Sequence, residues 1–359
     1  MPEHAVERAA FPRPAQDSHA VPLLSICIPT LNRAEHLKGA ISSLASQLGS
    51  DVEVIVCDTG STDGTRELMK EMVACWPTIR YLRREEILGV DETLLLLLAE
   101  SRGAYVWFFG SDDVLKPGAI DKIRRRIVGA PEPPAMVYLN HEIMDSAGKV
   151  LISSQFVASR DRRYMQGWRA VPRLGIKLGY ISACIVRREN LLSVDDAADF
   201  VGSRWVSLHL YLSALRVGGA LEFVAEPLVR ARRNPSACSE YAEVFVRQAA
   251  RVFAAARRTG YPRHTIFRTM NSIVAGQYLR FVVSWRAENP AELARTFPAM
   301  FETCWMYPAF WLFLIPARVA PQWIVRAVRN QLRAWRQKRS ARRDGVDAAR
   351  ELRAPIADL

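Results

Sequence analysis

No stretch of this chain combines the length and apolarity of a membrane-spanning helix. The longest apolar run, Thr303 to Ala317, covers about fifteen residues and is broken by Pro308 and Pro316, whereas a span takes about twenty. No two cysteines have the Cys-x-x-Cys spacing. Cys27, Cys57, Cys75, Cys184, Cys238 and Cys304 are scattered, with Cys27 and Cys57 inside apolar strand-like runs. That pattern reads as small buried hydrophobes in a reducing compartment, without structural zinc. His36, His141 and His264 show no metal-ligand spacing either. The first residues, Met1 to Ala20, lack the apolar core of a secretory leader. The expectation is a disordered lead-in over residues 1–21 on a cytosolic chain. Acid is also short of base: 37 Asp and Glu against 49 Lys and Arg leave a net charge of +12. Such a balance suits anionic partners, among them nucleic acid, acidic lipid and nucleotide diphosphates.

What is present is an ordinary globular composition, 50% apolar and 24% charged over 359 residues, enough for a full-sized core. From Leu23 to Asn140 short apolar strands alternate with helical segments. Strands are expected at Leu24–Pro29, Glu53–Asp58, Ile79–Leu82 and Ala104–Phe109. Between them come a helix opened by an Asn32/Glu35 capping box and running to about Leu48, an amphipathic helix at Thr65–Cys75, and a leucine-rich helix at Asp91–Ser101. This alternation predicts a mostly parallel sheet covered by helices on both faces. Further on, Asp145–Lys149 reads as a hairpin turn between Met136–Ile143 and Val150–Val157. A strand is expected at Ile181–Arg187, a helix at Ser203–Val217 and a strand at Ala220–Val224, with helices beyond Ser239.

The sharpest motif is Gly110-Ser111-Asp112-Asp113, directly after the fourth strand. Adjacent carboxylates at the mouth of a buried strand repel each other unless a positive charge joins them. A hard divalent cation with oxygen ligands meets that need, and magnesium or manganese held this way also binds substrate phosphates. The plainer reading is an Asp-rich turn. Ligands of such sheets gather beyond the carboxyl ends of the strands, which brings Thr30, Asp58 and the Asp pair to one crevice.

Ser25-Ile26-Cys27-Ile28-Pro29-Thr30-Leu31-Asn32-Arg33 resembles the opening strand of family 2 glycosyltransferases of the GT-A fold, a Rossmann-like mixed sheet flanked by helices. Val54 to Thr65 is similar to their second-strand motif, and Gly89 to Gly118 resembles the abequosyltransferase-like branch of O-antigen assembly. The resemblance spans roughly residues 22–235. It implies inverting transfer of a sugar from a nucleotide-diphosphate donor to an acceptor hydroxyl, assisted by Mn2+ or Mg2+. Carried over position by position, Pro29, Thr30, Asn32 and Gly60 would border the nucleotide and Asp58 would bond its base or ribose. Asp112 would contact ribose or metal, and Asp113 would ligate the metal. Two departures stand out. Thr59 follows Asp58 where relatives often pair aspartates, and Val206-Ser207-Leu208 carries no acid where many relatives place the general base. His209, or one of Asp195, Asp196 and Asp199, is the candidate proton acceptor, against the plainer reading of His209 as a packed histidine. Arg83 and Arg84 read as surface groups or nucleotide contacts, Arg232 and Arg233 as a phosphate site or a solvated turn.

The last third concentrates five of the nine tryptophans, Trp285, Trp305, Trp311, Trp323 and Trp335, and then a run of arginines from Arg318 to Arg343. Aromatic residues beside arginines suit a helix lying in an anionic membrane interface; the alternative is a packed helix with a solvated basic face. The expected organisation is therefore a GT-A domain over 22–238, a helical membrane-associating extension over 239–343 and a flexible tail over 344–359. Expected partners are a nucleotide-diphosphate sugar, a glycan or lipid-linked acceptor and the cytoplasmic membrane surface, without nucleic acid. One rival is a sugar nucleotidyltransferase, which would carry a glycine-rich loop after the first strand; Pro29-Thr30-Leu31-Asn32 has none. The other is a non-catalytic basic homologue that binds nucleic acid or glycan, though the arginines crowd the tail rather than a recognition surface.

Overall fold

The computed structural model describes residues 21–156, 160–233, 240–327 and 329–331. The lead-in, the tail beyond residue 331 and the boundary expected at 238/239 lie outside the described residues. Ten strands form one mixed sheet: β1 (Leu24–Thr30), β2 (Val52–Thr59), β3 (Ile79–Arg84), β4 (Tyr105–Phe108), β5 (Val114–Leu115), β6 (Met136–Met144), β7 (Val150–Ile152), β8 (Arg162–Tyr164), β9 (Cys184–Arg187) and β10 (Leu221–Arg232). The order is β3-β2-β1-β4-β9-β6-β10-β5, with β7 on β6 and β8 on β10. Its first four strands are parallel, and β9 then runs antiparallel between β4 and β6. The short strands β5 and β8 carry too little apolar pattern to be read from sequence; both exist by pairing with β10.

The two-residue period of β1 explains the layers. Leu24, Ile26 and Ile28 enter the core that holds α1 (Ala34–Ala45), α2 (Thr65–Cys75) and, after β5, α4 (Ala119–Val128). Cys27 points the other way, toward α3 (Val90–Glu100). Beyond β8 come the short helices α5 (Val171–Leu174) and α6 (Arg188–Leu192) and the long α7 (Val206–Val217). Then follow α8 (Ala249–Ala255), α9 (Arg263–Ile273), α10 (Leu279–Glu288), α11 (Pro290–Cys304) and α12 (Ile315–Val319). Their buried residues, from Tyr241 to Leu314, belong to the same core as Cys27 and Leu97. The seam is also hydrogen-bonded: Trp205 Nε1 donates to the Val244 carbonyl and the Tyr261 hydroxyl to that of Leu212. Among the described residues no helix is long and apolar enough to cross a membrane.

The Asn32/Glu35 capping box does not form. Asn32 adopts a left-handed backbone (φ 51°) and α1 starts only at Ala34. Its side chain instead accepts the Thr62 N–H at 2.8 Å, while Ser61 Oγ accepts the Asn32 N–H at 2.9 Å. Asp63 reaches back to the Ala34 N–H at 2.9 Å and also takes the Thr65 N–H at 3.2 Å. The loop after β2 thus caps the start of α1, and the loop after β1 ties down the turn that leads into α2, a long-range device invisible to a local pattern.

The head of α7 is met in the same long-range fashion. Asp91 at the start of α3 accepts the Arg204 N–H at 2.7 Å and the Val206 N–H at 3.2 Å. Burial raises this carboxyl above its ordinary value. Asp91→Ala is expected to cost about 1–3 kcal/mol in urea unfolding, because it orphans the Arg204 and the buried Val206 N–H groups; an unchanged midpoint would show that the cap carries no weight.

Candidate active site

The strand mouths that the sequence pointed to lie side by side. Thr30 faces Asp58 across the β1/β2 pair, and β4 flanks β1 on the other side with Phe108 opposite Cys27. Gly110 to Asp113 therefore leaves the sheet next to Thr30, at the place where open α/β sheets hold ligands. Thr30 is buried, and its Oγ1 has no hydrogen-bond partner among the described residues. An orphaned hydroxyl of this kind calls for a ligand or an ordered water.

Asp58 is fully buried at the end of β2. Its Oδ1 accepts the Ser61 N–H at 2.9 Å, and its Oδ2 accepts the Tyr81 hydroxyl at 2.6 Å and Arg83 Nη1 at 3.0 Å. Tyr81 and Arg83 are alternate residues of β3, so they share one face of the strand. Burial first, then the bond to Asp58, pushes the Tyr81 phenol up to about 12, which keeps it a donor at neutral pH. The rest of the Arg83 guanidinium forms a fork on Glu85 at 3.1 and 3.3 Å. Arg83 is thus the counter-ion of Asp58 rather than a free surface group. Gly60 (φ 82°) closes the turn beneath them, where a Cβ would stand 3.1 Å from the Glu85 carbonyl oxygen.

The Asp pair divides into unlike halves. Asp113 is 3% exposed. Its Oδ2 accepts Ser182 Oγ at 2.6 Å and the Tyr180 hydroxyl at 2.7 Å, while Oδ1 accepts the Arg232 N–H at 3.0 Å. Burial, and after it the charge of Asp112, pushes this carboxyl up to about 7, against the pull of the three donors. Gly110 allows the arrangement, since a Cβ there would sit 2.6 Å from Asp113 Oδ2. Asp112 has its side chain 18% exposed and pairs with Arg33 Nη1 at 2.5 Å through Oδ2. No described residue donates to its other oxygen. Arg232 is neither a solvated turn nor an open phosphate site. Its guanidinium clamps the carbonyls of Asp112 at 3.2 Å, Asp145 at 3.1 Å and Ser146 at 2.6 Å.

No group of three or more His, Cys, Asp or Glu among the described residues has the arrangement to hold a metal by itself. Asp113 Oδ2 already accepts two hydroxyls and its Oδ1 one backbone N–H, so Asp112, with one oxygen free of any described donor, has more lone pairs to give. One such carboxylate fits a magnesium- or manganese-type ion that takes its other ligands from a substrate diphosphate; it does not fit a resident all-protein cage.

The expected proton acceptors stand apart from this cluster. His209 is 1% exposed, its Nε2 lies 2.7 Å from Asp196 Oδ1, and its ring stacks on Phe200 at 3.9 Å. The ring thus packs α7 against the segment before it, the packed-histidine arrangement weighed for this position. Asp196 is 42% exposed but serves as the partner of His209. The Asp199 carbonyl accepts Arg251 Nη2 at 3.0 Å. None of these bonds reaches Asp58, Asp112 or Asp113. The carboxylate that does stand at the head of α7 is Asp91, with both oxygens occupied by backbone. Pro29, Thr30, Asn32, Asp58, Gly60, Asp112 and Asp113 are brought together; Tyr81, Tyr180, Ser182 and the partner role of Arg33 are additions. Only the Tyr81/Arg83 alternation offered a sequence signal for any of these.

This is the GT-A class of mixed sheet, with a helical C-terminal region. Residues 25–132 match the profile of Glycosyl transferase family 2, and the chain carries a glycosyltransferase domain of that family. It is similar to Abequosyltransferase RfbV of Salmonella typhimurium, 27% identical over 58% of this chain and 66% of that protein. The chain thus spans just under two thirds of that relative, and 19% and 11% of the chondroitin and hyaluronan synthases it also matches. In fold it is similar to S. aureus TarS 1-349 in complex with UDP-GlcNAc, with a TM-score of 0.58 at 16% identity over 87% of this chain and 91% of that one. It is also similar to the mannosyltransferase PcManGT from Pyrobaculum calidifontis in complex with GDP-Man and Mn2+, with a TM-score of 0.52 at 16% identity over 90% and 87%.

The unusual Asp113 gives a pH prediction. Its unfolded carboxyl titrates near 3.8 and its folded one near 7, so the folded state holds the proton more tightly. The stabilisation it contributes is complete below the unfolded value and lost as pH rises through the folded one. Without ligand, the stability of wild type relative to Asp113→Asn is therefore expected to fall by a few kcal/mol from acid to neutral pH. Urea midpoints of both proteins across that range measure it, and parallel curves would contradict it.

Proposed function

We propose that this chain transfers a sugar from a nucleotide-diphosphate donor to a hydroxyl of a glycan acceptor, with inversion, in building a bacterial surface polysaccharide such as O-antigen. One observation carries the reading: Thr30, Asp58 and Asp112 meet at the carboxyl ends of three adjacent parallel strands. That crevice combines an unpartnered hydroxyl, a buried acid network and one available carboxylate. The relatives supply the donor class, since the two solved structures hold UDP-GlcNAc and GDP-Man with Mn2+, and RfbV is named an abequosyltransferase.

In this reading residues 22–238 form the catalytic unit. Asp58, held by Tyr81 and Arg83, borders the nucleoside with Pro29, Thr30, Asn32 and Gly60. Asp112 would hold the divalent cation together with the donor phosphates. When bound, that cation neutralises charge on the departing diphosphate, a contribution of several kcal/mol. Arg33, released from Asp112, is free to follow the phosphates, so positive charge stays in the crevice throughout. Asp113 positions Tyr180, Ser182 and the Arg232 backbone, and with them the loop that carries Asp112. The acceptor hydroxyl attacks the anomeric carbon from the face opposite the leaving diphosphate, and holding both in line supplies much of the rate. The acceptor is a lipid-linked glycan at the cytoplasmic face of the membrane, which suits the basic, tryptophan-rich extension over 239–343.

The test is release of nucleoside diphosphate from a panel of nucleotide sugars with Mn2+ and a lipid-linked glycan extract. One donor is expected to react, and Asp112→Asn is expected to slow it about a hundredfold or more. A full rate in that variant, or no active donor, contradicts the proposal. Pyrophosphate release from a nucleoside triphosphate and a sugar phosphate would point to the nucleotidyltransferase instead.

A further inference from the structure

Away from the crevice, the turn between α8 and α9 forms an open concavity of about 550 Å³ lined by Ala254, Arg257, Arg258, Tyr261, Pro262 and Arg263. All three arginines are exposed, and their guanidinium groups form no ion pair with any described residue. The setting leaves few acids to find. Residues 244–287 contain no Asp or Glu, and neither do residues 303–343. Unpaired arginines in a concave site of one sign favour a phosphate-type anion, which the planar guanidinium binds in forked geometry.

The concavity continues into an apolar ridge. Arg263 and Phe267 lie one turn apart on α9 and share a face. The Phe267 ring packs on Tyr307 at 5.3 Å, and Arg257 is close enough to act on the Tyr307 phenol. From there Trp305, Met306, Trp311, Leu312 and Phe313 stand exposed, Leu312 at 67%. They are fixed rather than loose: Trp311 Nε1 donates to the Trp305 carbonyl at 2.7 Å, and its ring meets Phe301 at 6.4 Å. Scattered exposed apolar residues mean little, but a contiguous aromatic and aliphatic ridge on a soluble face marks an interaction surface. A protein partner would need acidic patches and a matching hollow. A bilayer of anionic lipid supplies phosphates at headgroup level and acyl chains just below, the same vertical order as arginines beside tryptophan and leucine.

We propose that this face docks on an anionic lipid bilayer, with lipid phosphates in the Arg257/Arg258/Arg263 concavity and the Trp305–Phe313 ridge inserted at the headgroup boundary. The proposal gives a place to the membrane reading above and does not depend on the donor chemistry. Docking would hold the chain against the leaflet that carries a lipid-linked acceptor.

Co-sedimentation of the full chain with vesicles of phosphatidylcholine alone, and of phosphatidylcholine with phosphatidylglycerol, tests it. Wild type is expected to bind the anionic vesicles and to leave the neutral ones largely unbound. Each arginine changed to alanine (Arg257→Ala, Arg258→Ala, Arg263→Ala) is expected to weaken partitioning about fivefold, and Trp311→Ser with Leu312→Ser is expected to weaken it further. Equal binding to both vesicle types overturns the proposal, as does binding that survives all these substitutions through the basic residues beyond 331. Full competition by inorganic phosphate would show a soluble-anion pocket and also overturns it. Donor-dependent thermal stabilisation without vesicles, measured on the same variants, confirms that they are folded. Because it is read separately, failure of docking and failure of the glycosyltransferase reading remain distinguishable.

Discussion

Negative charge at the mouths of parallel strands is the constraint on which the rest of this structure depends. Asp58, Asp112 and Asp113 all stand where β2 and β4 end, and two of them are sealed from water. Such groups persist only when donors or counter-charges face them. Each has a different solution: Tyr81, Arg83 and a backbone N–H for Asp58; two hydroxyls and a backbone N–H for Asp113; Arg33 for Asp112. Of the three, the Asp112 pair is the one that can be exchanged, because it is part-exposed and has a free oxygen. The site is thus rigid except at the point where an incoming cation and diphosphate would engage it.

That rigidity is built from distant parts. The Arg232 clamp ties β10 to the Asp112 loop and to the β6/β7 turn. Tyr180 and Ser182 arrive from the segment before β9, and Asp91 of α3 caps α7. The C-terminal helices close the same core from behind. They bury one side against the sheet, while most of the arginine run from Arg318 to Arg343 lies outside the described residues.

The legibility of the sequence follows the range of the interactions. The first four strands and the helices between them were readable within a residue or two at most ends, because buried parallel strands are nearly continuous apolar runs and the helices keep their period. The Asp58 and Asp112/Asp113 positions were readable for the same reason: they end such runs. The Asn32 cap failed because its partner lies about thirty residues away in the next loop, and the local box it mimics was never formed. β5 and β8 failed because pairing with β10, not composition, makes them strands. The surroundings of His209 were not readable because one helical position says nothing about what covers the ring, and here Phe200 and Asp196 do. Tyr180 and Ser182 carry no motif; only the fold delivers them to Asp113.

Equilibrium binding of a nucleoside diphosphate, titrated with and without Mn2+ to wild type, Asp58→Ala and Asp112→Ala, examines this division of labour most directly. Asp58→Ala is expected to weaken binding whether or not the cation is present, whereas Asp112→Ala is expected to remove only the increment that Mn2+ adds. Equal losses in both variants under both conditions, or no Mn2+ increment in wild type, would contradict it.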